Sequence, residues 1–300
     1  MKKFILFIFI VFLSTSINAQ WLWDYGINLG ATNYLGDIGG KEKTRRDFVA
    51  DMKLAKTRWN VGGFVRYKWR PKISLRLAFD YIRIEGDDKL STNPGRHYRN
   101  FNFKNDLMDL GFTGHWFFYE DNDLGNTYRY RNGFRAYIFG GIGGYYSNPK
   151  SKYQGEWVKM RDYDTEGYNY KSIGLNIPYG FGFYFTFSKK HRLGFEANIR
   201  KTFSDYLDDI SGNYPSDPGN AYERGLFLRT TELPPDDIGA YRSHDWGMKR
   251  GDNKHKDNYM NISISYSYVI RGKSSFYRTR YKGNFFTKNK RKVRKIRAKF

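Results

Sequence analysis

The sequence predicts an all-β fold, an eight-stranded antiparallel transmembrane outer-membrane β-barrel with a filled lumen. Three observations predict it. Eight segments read as strands, most of them alternating apolar and polar residues with a period of two, which no helix does. The connections between those segments alternate long and short. Aromatic residues make up 19% of the 300 residues, with 26 Tyr and 25 Phe, yet the mean hydropathy is −0.75. A transmembrane barrel reconciles these numbers, because it confines its apolar content to every second residue of a strand.

In chain order, residues 1–19 read as an export signal. Lys2 and Lys3 form a charged start, residues 4–13 an apolar stretch, and residues 14–19 a small-residue region with the cut expected after Ala19. The apolar stretch is too short to span a bilayer as a helix, and no longer one follows. The first strand is read over 22–31, with Trp23, Tyr25, Ile27 and Leu29 on one face, and GATNYLGDIGG at 30–40 carries turn chemistry at its exit. Residues 58–69 alternate Trp59, Val61, Val65, Tyr67 and Trp69 against Asn60, Arg66 and Lys68. Residues 73–85 alternate Ile73, Leu75, Leu77, Phe79 and Tyr81 against Ser74, Arg76 and Asp80. Residues 103–118 carry Met108, Leu110, Phe112, Trp116 and Phe118. Residues 134–147 are glycine-rich and ambiguous in phase; GGIGG at 140–144 has no following helix or Lys-Ser/Thr pair, so it reads as barrel curvature rather than a phosphate loop. Residues 172–188 place eight apolar side chains, Ile173 to Phe187, on one face. Residues 191–203 alternate Leu193, Phe195, Ala197 and Ile199 against Arg192, Glu196, Asn198 and Arg200, and 259–270 alternate Met260, Ile262, Ile264, Tyr266, Tyr268 and Ile270 against Asn and Ser.

The first, third, fifth and seventh connections (32–57, 86–102, 148–171, 204–258) are the longer ones, and the second and sixth are very short. That alternation belongs to outer-membrane barrels and would put both termini in the periplasm. The fourth, 119–133, is long for a turn. Trp21, Trp23, Trp59, Trp69, Trp116, Phe117, Phe118 and Tyr119 fall near strand ends, where amphipathic rings favour the membrane interface. A soluble β-sandwich also alternates, but it needs no charges of both signs on its hidden faces. Here Arg76, Asp80, Glu196 and Arg200 all point inward, where they can pair as lumen ion pairs. Eight strands enclose room for side chains but not for an open channel.

Candidate chemistry is sparse. Zero Cys excludes disulfides, thiolate metal sites and cysteine nucleophiles. His115 points inward from a strand, and no Ser partner for it is evident, so it reads as a hydrogen-bonded lumen residue rather than a base. Asp205, Asp208 and Asp209 could offer oxygens to Ca²⁺, but they lack the spacing of an EF-hand; the plainer reading is a loop stem pairing with arginines. No cofactor is expected. Of the net +22, thirteen charges lie in residues 271–300, which contain no acid, while 20–270 carry only +7. An exported segment meets no nucleic acid, so this basic periplasmic tail, with Lys288, Lys290, Arg291, Lys292, Arg294, Lys295 and Arg297 at its densest, is a candidate partner-binding site for anionic lipid, cell-wall polymer or an acidic protein. The organisation is therefore signal 1–19, barrel 20–270 and flexible tail 271–300.

Four blocks in order, NYLGD (33–37), FVRYKWRPKISLRLAFDYIRIEGDD (64–88), RHYRNFNFKNDLMDLGF (96–112) and RKTFSDYLDDISGNY (200–214), resemble the PorG-like family of outer-membrane barrels of Bacteroidota. The resemblance implies a non-enzymatic component of the type IX protein secretion system, set in the outer membrane and contacting or anchoring a periplasmic ring. The family offers no catalytic residues, and the tail lies outside the resemblance. Two other functions stay open: a generic barrel serving adhesion or envelope integrity through its surface loops, and a lipid-modifying barrel enzyme.

Overall fold

The computed structural model describes residues 23–39, 52–120, 133–188, 190–216, 219–234 and 244–270. Eight long strands follow one another around a ring: β1 (Trp23–Leu35), β2 (Arg58–Arg70), β3 (Ile73–Asp87), β4 (Asn102–Glu120), β5 (Phe134–Tyr146), β8 (Ile173–Phe187), β9 (His191–Thr202) and β10 (Asn258–Ile270). A small hairpin, β6 (Lys150–Tyr153) and β7 (Glu156–Lys159), interrupts the series and hangs on β4 through Lys104 and Lys150. Every neighbouring pair is antiparallel, and β10 returns to β1 in register from Trp23↔Ile270 to Leu35↔Asn258. The ring therefore leaves none of its eight strands unpaired, which is the condition for crossing hydrocarbon with strands.

The outward faces carry the predicted apolar residues. Ile142, Ile173 and Leu175 are 69%, 70% and 66% exposed, and Leu29, Phe79, Leu110, Phe181 and Ile264 are also exposed. A water-soluble barrel does not present a belt of this kind around its whole circumference. On β3 the outward apolar residues run from Ile73 to Tyr81. At ~3.3 Å per residue and a tilt of ~40°, that is roughly 20 Å of height, near the ~25 Å apolar band of such barrels.

Several strands are longer than the belt. β3 has 15 residues and β4 has 19, whereas about 10 cross a bilayer. Above the belt their polarity reverses. Ile82 and Ile84 turn inward and are fully buried, while Arg83 and Glu85 face out; on β4, Phe103 and Leu107 turn in, while Lys104 and Asp106 face out. Outside, Arg83 Nε donates to Asp106 at 2.6 Å, and Arg58 donates to Glu85 at 2.5 Å. The inward residues join a core of Tyr34, Ile38, Phe101, Tyr145, Met160, Leu207, Ile210, Leu226, Phe227 and Tyr259. This core belongs to a folded cap built from the long connections over one end of the barrel. It includes the β6–β7 hairpin and short helices at Pro94–Arg99 and Ala221–Phe227.

The structure corrects several readings. β1 continues to Leu35 rather than turning after residue 31, because its inner end, with Tyr34, packs into the cap core. The connections 86–102, 148–171 and 204–258 are not bare loops but carry the helices and hairpin of the cap. Phe117 is no interface residue: it is 2% exposed and packs with Tyr137, Phe139 and Tyr184 in an aromatic cluster inside the other end. That inward cluster also explains the ambiguous phase of 134–147, since Tyr137, Phe139 and Tyr145 line the inside of β5 while Ile138 and Ile142 line the outside. The second connection is a tight turn at 71–72, and the sixth spans 188–190.

Candidate functional site

Inward positions recur every second residue on each strand, so polar residues there converge on the barrel axis. Among the described residues, Asp24, Asp80, Asp109 and Glu196 meet Arg66, Arg76, Arg192 and Arg200 in the barrel interior, and Arg135 pairs with Glu120 at 3.2 Å where β4 ends and β5 begins. Arg76 Nη1 reaches both carboxylate oxygens of Glu196 at 2.5 Å, and Tyr137 donates its hydroxyl to the same group at 2.5 Å. Arg66 lies 3.5 Å from Glu196 and 3.5 Å from Asp24, which also accepts from Arg192 at 2.7 Å. Arg200 donates to Asp80 and lies 3.4 Å from Asp109. The four candidate lumen residues therefore form two cross-lumen pairs, Arg76–Glu196 and Arg200–Asp80. Arg66 and Arg192 lay on the same predicted inward faces, but Asp24 and Asp109 were missed, because each stands alone among apolar neighbours where only strand phase marks it.

The pairing depends on room. Gly182 faces inward beside Glu196, and a Cβ there would stand 2.8 Å from Glu196 Cγ. Gly62 does the same for Asp80, whose Oδ1 also accepts from Asn28 Nδ2 at 2.8 Å. Arg76 lies 3.9 Å over the Phe64 ring. Side chains, among them paired charges of both signs, fill this interior, as eight strands require.

His115 is 1% exposed and stacks on Tyr137 and Phe139, with centroids 4.8 and 5.1 Å away. Its Nε2 bonds Thr113 Oγ1 at 2.9 Å. Ser74 is its cross-strand register partner, a neighbour the sequence reading did not find. Neither Ser74 Oγ nor His115 Nδ1 has a hydrogen-bond partner, so the two are not bonded to each other.

Asp205, Asp208 and Asp209 separate rather than converge. Asp205 accepts from Ser211 Oγ at 2.7 Å. Asp208 accepts from the Tyr34 hydroxyl and the Ile210 amide at 2.7 and 2.9 Å. Asp209 accepts from Tyr170 at 2.7 Å and pairs with Arg250 at 3.2 Å. Among the described residues no group of three or more His, Asp, Glu or Cys is placed to hold a metal ion. The motif instead ties the cap together. The Tyr34 hydroxyl contacts both Asp208 and Asp257, and one hydroxyl proton cannot serve two carboxylates, so one acid must hold a proton of its own. Burial, reinforced by neighbouring carboxylates, pushes both acids well above the usual range. Burial likewise raises Asp205 and Asp209 to about 6. Nearby, Arg99 donates to Asp88 at 2.7 and 2.9 Å and to the carbonyls of Asp37 and Arg250 at 2.8 and 2.7 Å, joining three connections through one side chain.

The export signal and the tail residues Lys288, Lys290, Arg291, Lys292, Arg294, Lys295 and Arg297 lie outside the described residues.

Among solved structures, the chain is similar to Ail, the attachment invasion locus protein of Yersinia pestis, in complex with the heparin analogue sucrose octasulfate. The identity is 10%, covering 83% of this chain and 99% of that one, with a TM-score of 0.37. It is similar to a major outer membrane protein from Thermus thermophilus at 10% identity, with the same coverages and a TM-score of 0.37. Neisserial surface protein A is similar at 9% identity, covering 84% and 99%, with a TM-score of 0.35. The fold itself stands on the strand pairing described above. No curated protein matches the chain. Residues 2–232 match a family model described as Domain of unknown function (DUF6089). That match spans most of the sequence, from before the barrel into the last long connection, and the chain belongs to the DUF6089 family.

Proposed function

We propose that this protein is a structural component of the outer membrane, with the cap outside and both termini in the periplasm, and that it serves type IX protein secretion by contacting or anchoring a periplasmic ring. The observation that carries a structural role is the closed interior. The ion pairs, the aromatic cluster and the cap fill the path through the barrel, which leaves its two ends and its lipid-facing wall as working surfaces. The link to secretion is supported by the four sequence blocks, of which RKTFSDYLDDISGNY proves to be the cap's central tie. The basic residues Lys288 to Arg297 would supply the periplasmic contact through charge, each worth roughly 1 kcal/mol near an anionic surface.

The test is deletion of the gene followed by comparison of culture supernatants. Cargo retained in the cell and released on complementation supports the secretion role; an unchanged secreted set removes it. A truncation after residue 270 that still co-purifies with ring components would remove the tail from the mechanism. The folded cap favours a second reading, a barrel acting in adhesion or envelope integrity through its outer face. That reading predicts altered attachment or leakage with secretion intact.

A further inference from the structure

Just above the lipid belt, the start of β8 and the end of β9 border a groove of about 450 Å³. Its lower wall is apolar and open to the membrane side: Ile173, Leu175 and Phe203 are 70%, 66% and 60% exposed. Its upper wall is a rigid aromatic ladder. Tyr206 stacks on Tyr170 at 4.5 Å and on Tyr168 at 5.8 Å, and Tyr170 is fixed to Asp209 by its hydroxyl. Two exposed lysines from different connections, Lys171 and Lys256, line the same groove. Asp205 closes its floor.

We infer that this groove binds a phosphate-bearing lipid of the outer leaflet, with the acyl chains along Ile173, Leu175 and Phe203 and the phosphate between the ammonium groups of Lys171 and Lys256. Apolar side chains exposed at the rim of the belt are suited to hydrocarbon chains. Cations directly above them stand at headgroup height, where lysine is favoured beside anionic lipid. The carboxylate of Asp205 repels an anion from the floor, so the phosphate stays at the rim, and this sets the lipid's direction. The volume lies within the ordinary range for small-molecule sites. The inference rests on the proposed orientation of the barrel but not on a secretion role.

The test uses purified full-length protein in phosphatidylcholine vesicles doped with lipid A or with dephosphorylated lipid A, and native mass spectrometry counts the lipid retained on extraction. Wild type should retain the phosphorylated form at least about tenfold better. The variant Lys171→Ala/Lys256→Ala should lose that preference, while Lys89→Ala/Lys159→Ala, which removes equal charge elsewhere on the cap, should keep it. Heat-modifiable gel mobility establishes that each variant is folded. The inference is overturned by equal retention of the two lipids, by full retention in Lys171→Ala/Lys256→Ala, by equal loss in both lysine pairs, or by displacement with inorganic phosphate, which would mark a free-anion site. Failure of the secretion role would leave all of these readings unchanged, because they are made on isolated protein.

Discussion

At the scale of single residues, the molecule depends on buried charges that balance one another. Glu196 takes two arginines and a tyrosine hydroxyl in a buried interior. Glu196→Gln keeps the shape but leaves Arg76 uncompensated, which should cost about 3 kcal/mol or more. Urea unfolding from vesicles, followed by tryptophan fluorescence, measures it. Removing both partners, Glu196→Leu with Arg76→Met, should cost less than the single change, because no orphan charge remains. The cap's acids make a second prediction. Asp205 and Asp209 sit near 6 in the folded protein against an ordinary 3.8, so the folded cap holds protons more tightly than the unfolded chain. Their stabilising contribution is complete below about 3.8 and is lost as pH rises through about 6. Asp208 and Asp257 act in the same direction. Arg250 beside Asp209 and Lys256 beside Asp205 reduce the effect without reversing it. Amide exchange across 205–211 should therefore be faster at pH 8 than at pH 5, once the intrinsic pH dependence of exchange is divided out. Equal protection would mean that the cluster holds no extra protons.

At the scale of strands, the bilayer writes its own boundary into the sequence. Within the belt, outward residues are apolar and inward ones mostly polar, the aromatic cluster at the far end apart; within the cap, the reverse holds. The switch requires two adjacent apolar residues, one for each side. Such doublets occur at Tyr81–Ile82, Leu107–Met108, Tyr145–Tyr146 and Tyr259–Met260. They line up across the sheet: Tyr81 is the partner of Met108, Ile82 of Leu107, and Met108 of Tyr146. Trp59 stacks on Tyr81 at 5.3 Å with Arg83 above it, as an interfacial ring should. The doublets are visible in the chain, but the strands read over 73–85, 103–118 and 134–147 run through them without marking a boundary. The belt was legible because period-two alternation came together with inward charges of both signs and with long and short connections in turn, a combination that fits lipid on one side. The cap was not, because its helices and hairpin are shaped by contacts between distant connections, such as Arg99 with Asp88 and the Arg250 carbonyl. If the doublets mark the boundary, the cost of a charge must fall with height along β3. Leu77→Arg, in the belt, should cost about 2–4 kcal/mol, and Tyr81→Arg about 1 kcal/mol or less. Equal costs, read by equilibrium unfolding in vesicles, would place the boundary elsewhere.

At the scale of the whole molecule, three layers close the same path in series: the cap core, the ion-paired lumen and the Phe117–Tyr137–Phe139–Tyr184 cluster. The layers are also mechanically linked. Tyr137 belongs to the aromatic cluster and bonds Glu196 of the lumen; Tyr259 belongs to the cap core and bonds Asp109 of the lumen at 2.9 Å. Sequence alone reached the middle layer, because paired charges on inward faces leave few alternatives. It did not reach the other two, whose aromatics are indistinguishable in composition from those facing lipid. A conduit would keep its axis polar and wet, whereas this barrel places tyrosine and phenylalanine across the axis at both ends. Purified protein in planar bilayers should therefore give no unitary conductance steps at any holding potential. Breaking the lumen pairs alone, as in Arg76→Ala/Glu196→Ala, should leave it closed, because two apolar seals remain. Steps in the wild type would mean that the layers open together, and the barrel would then have to be understood as a gated pore rather than a sealed structural part.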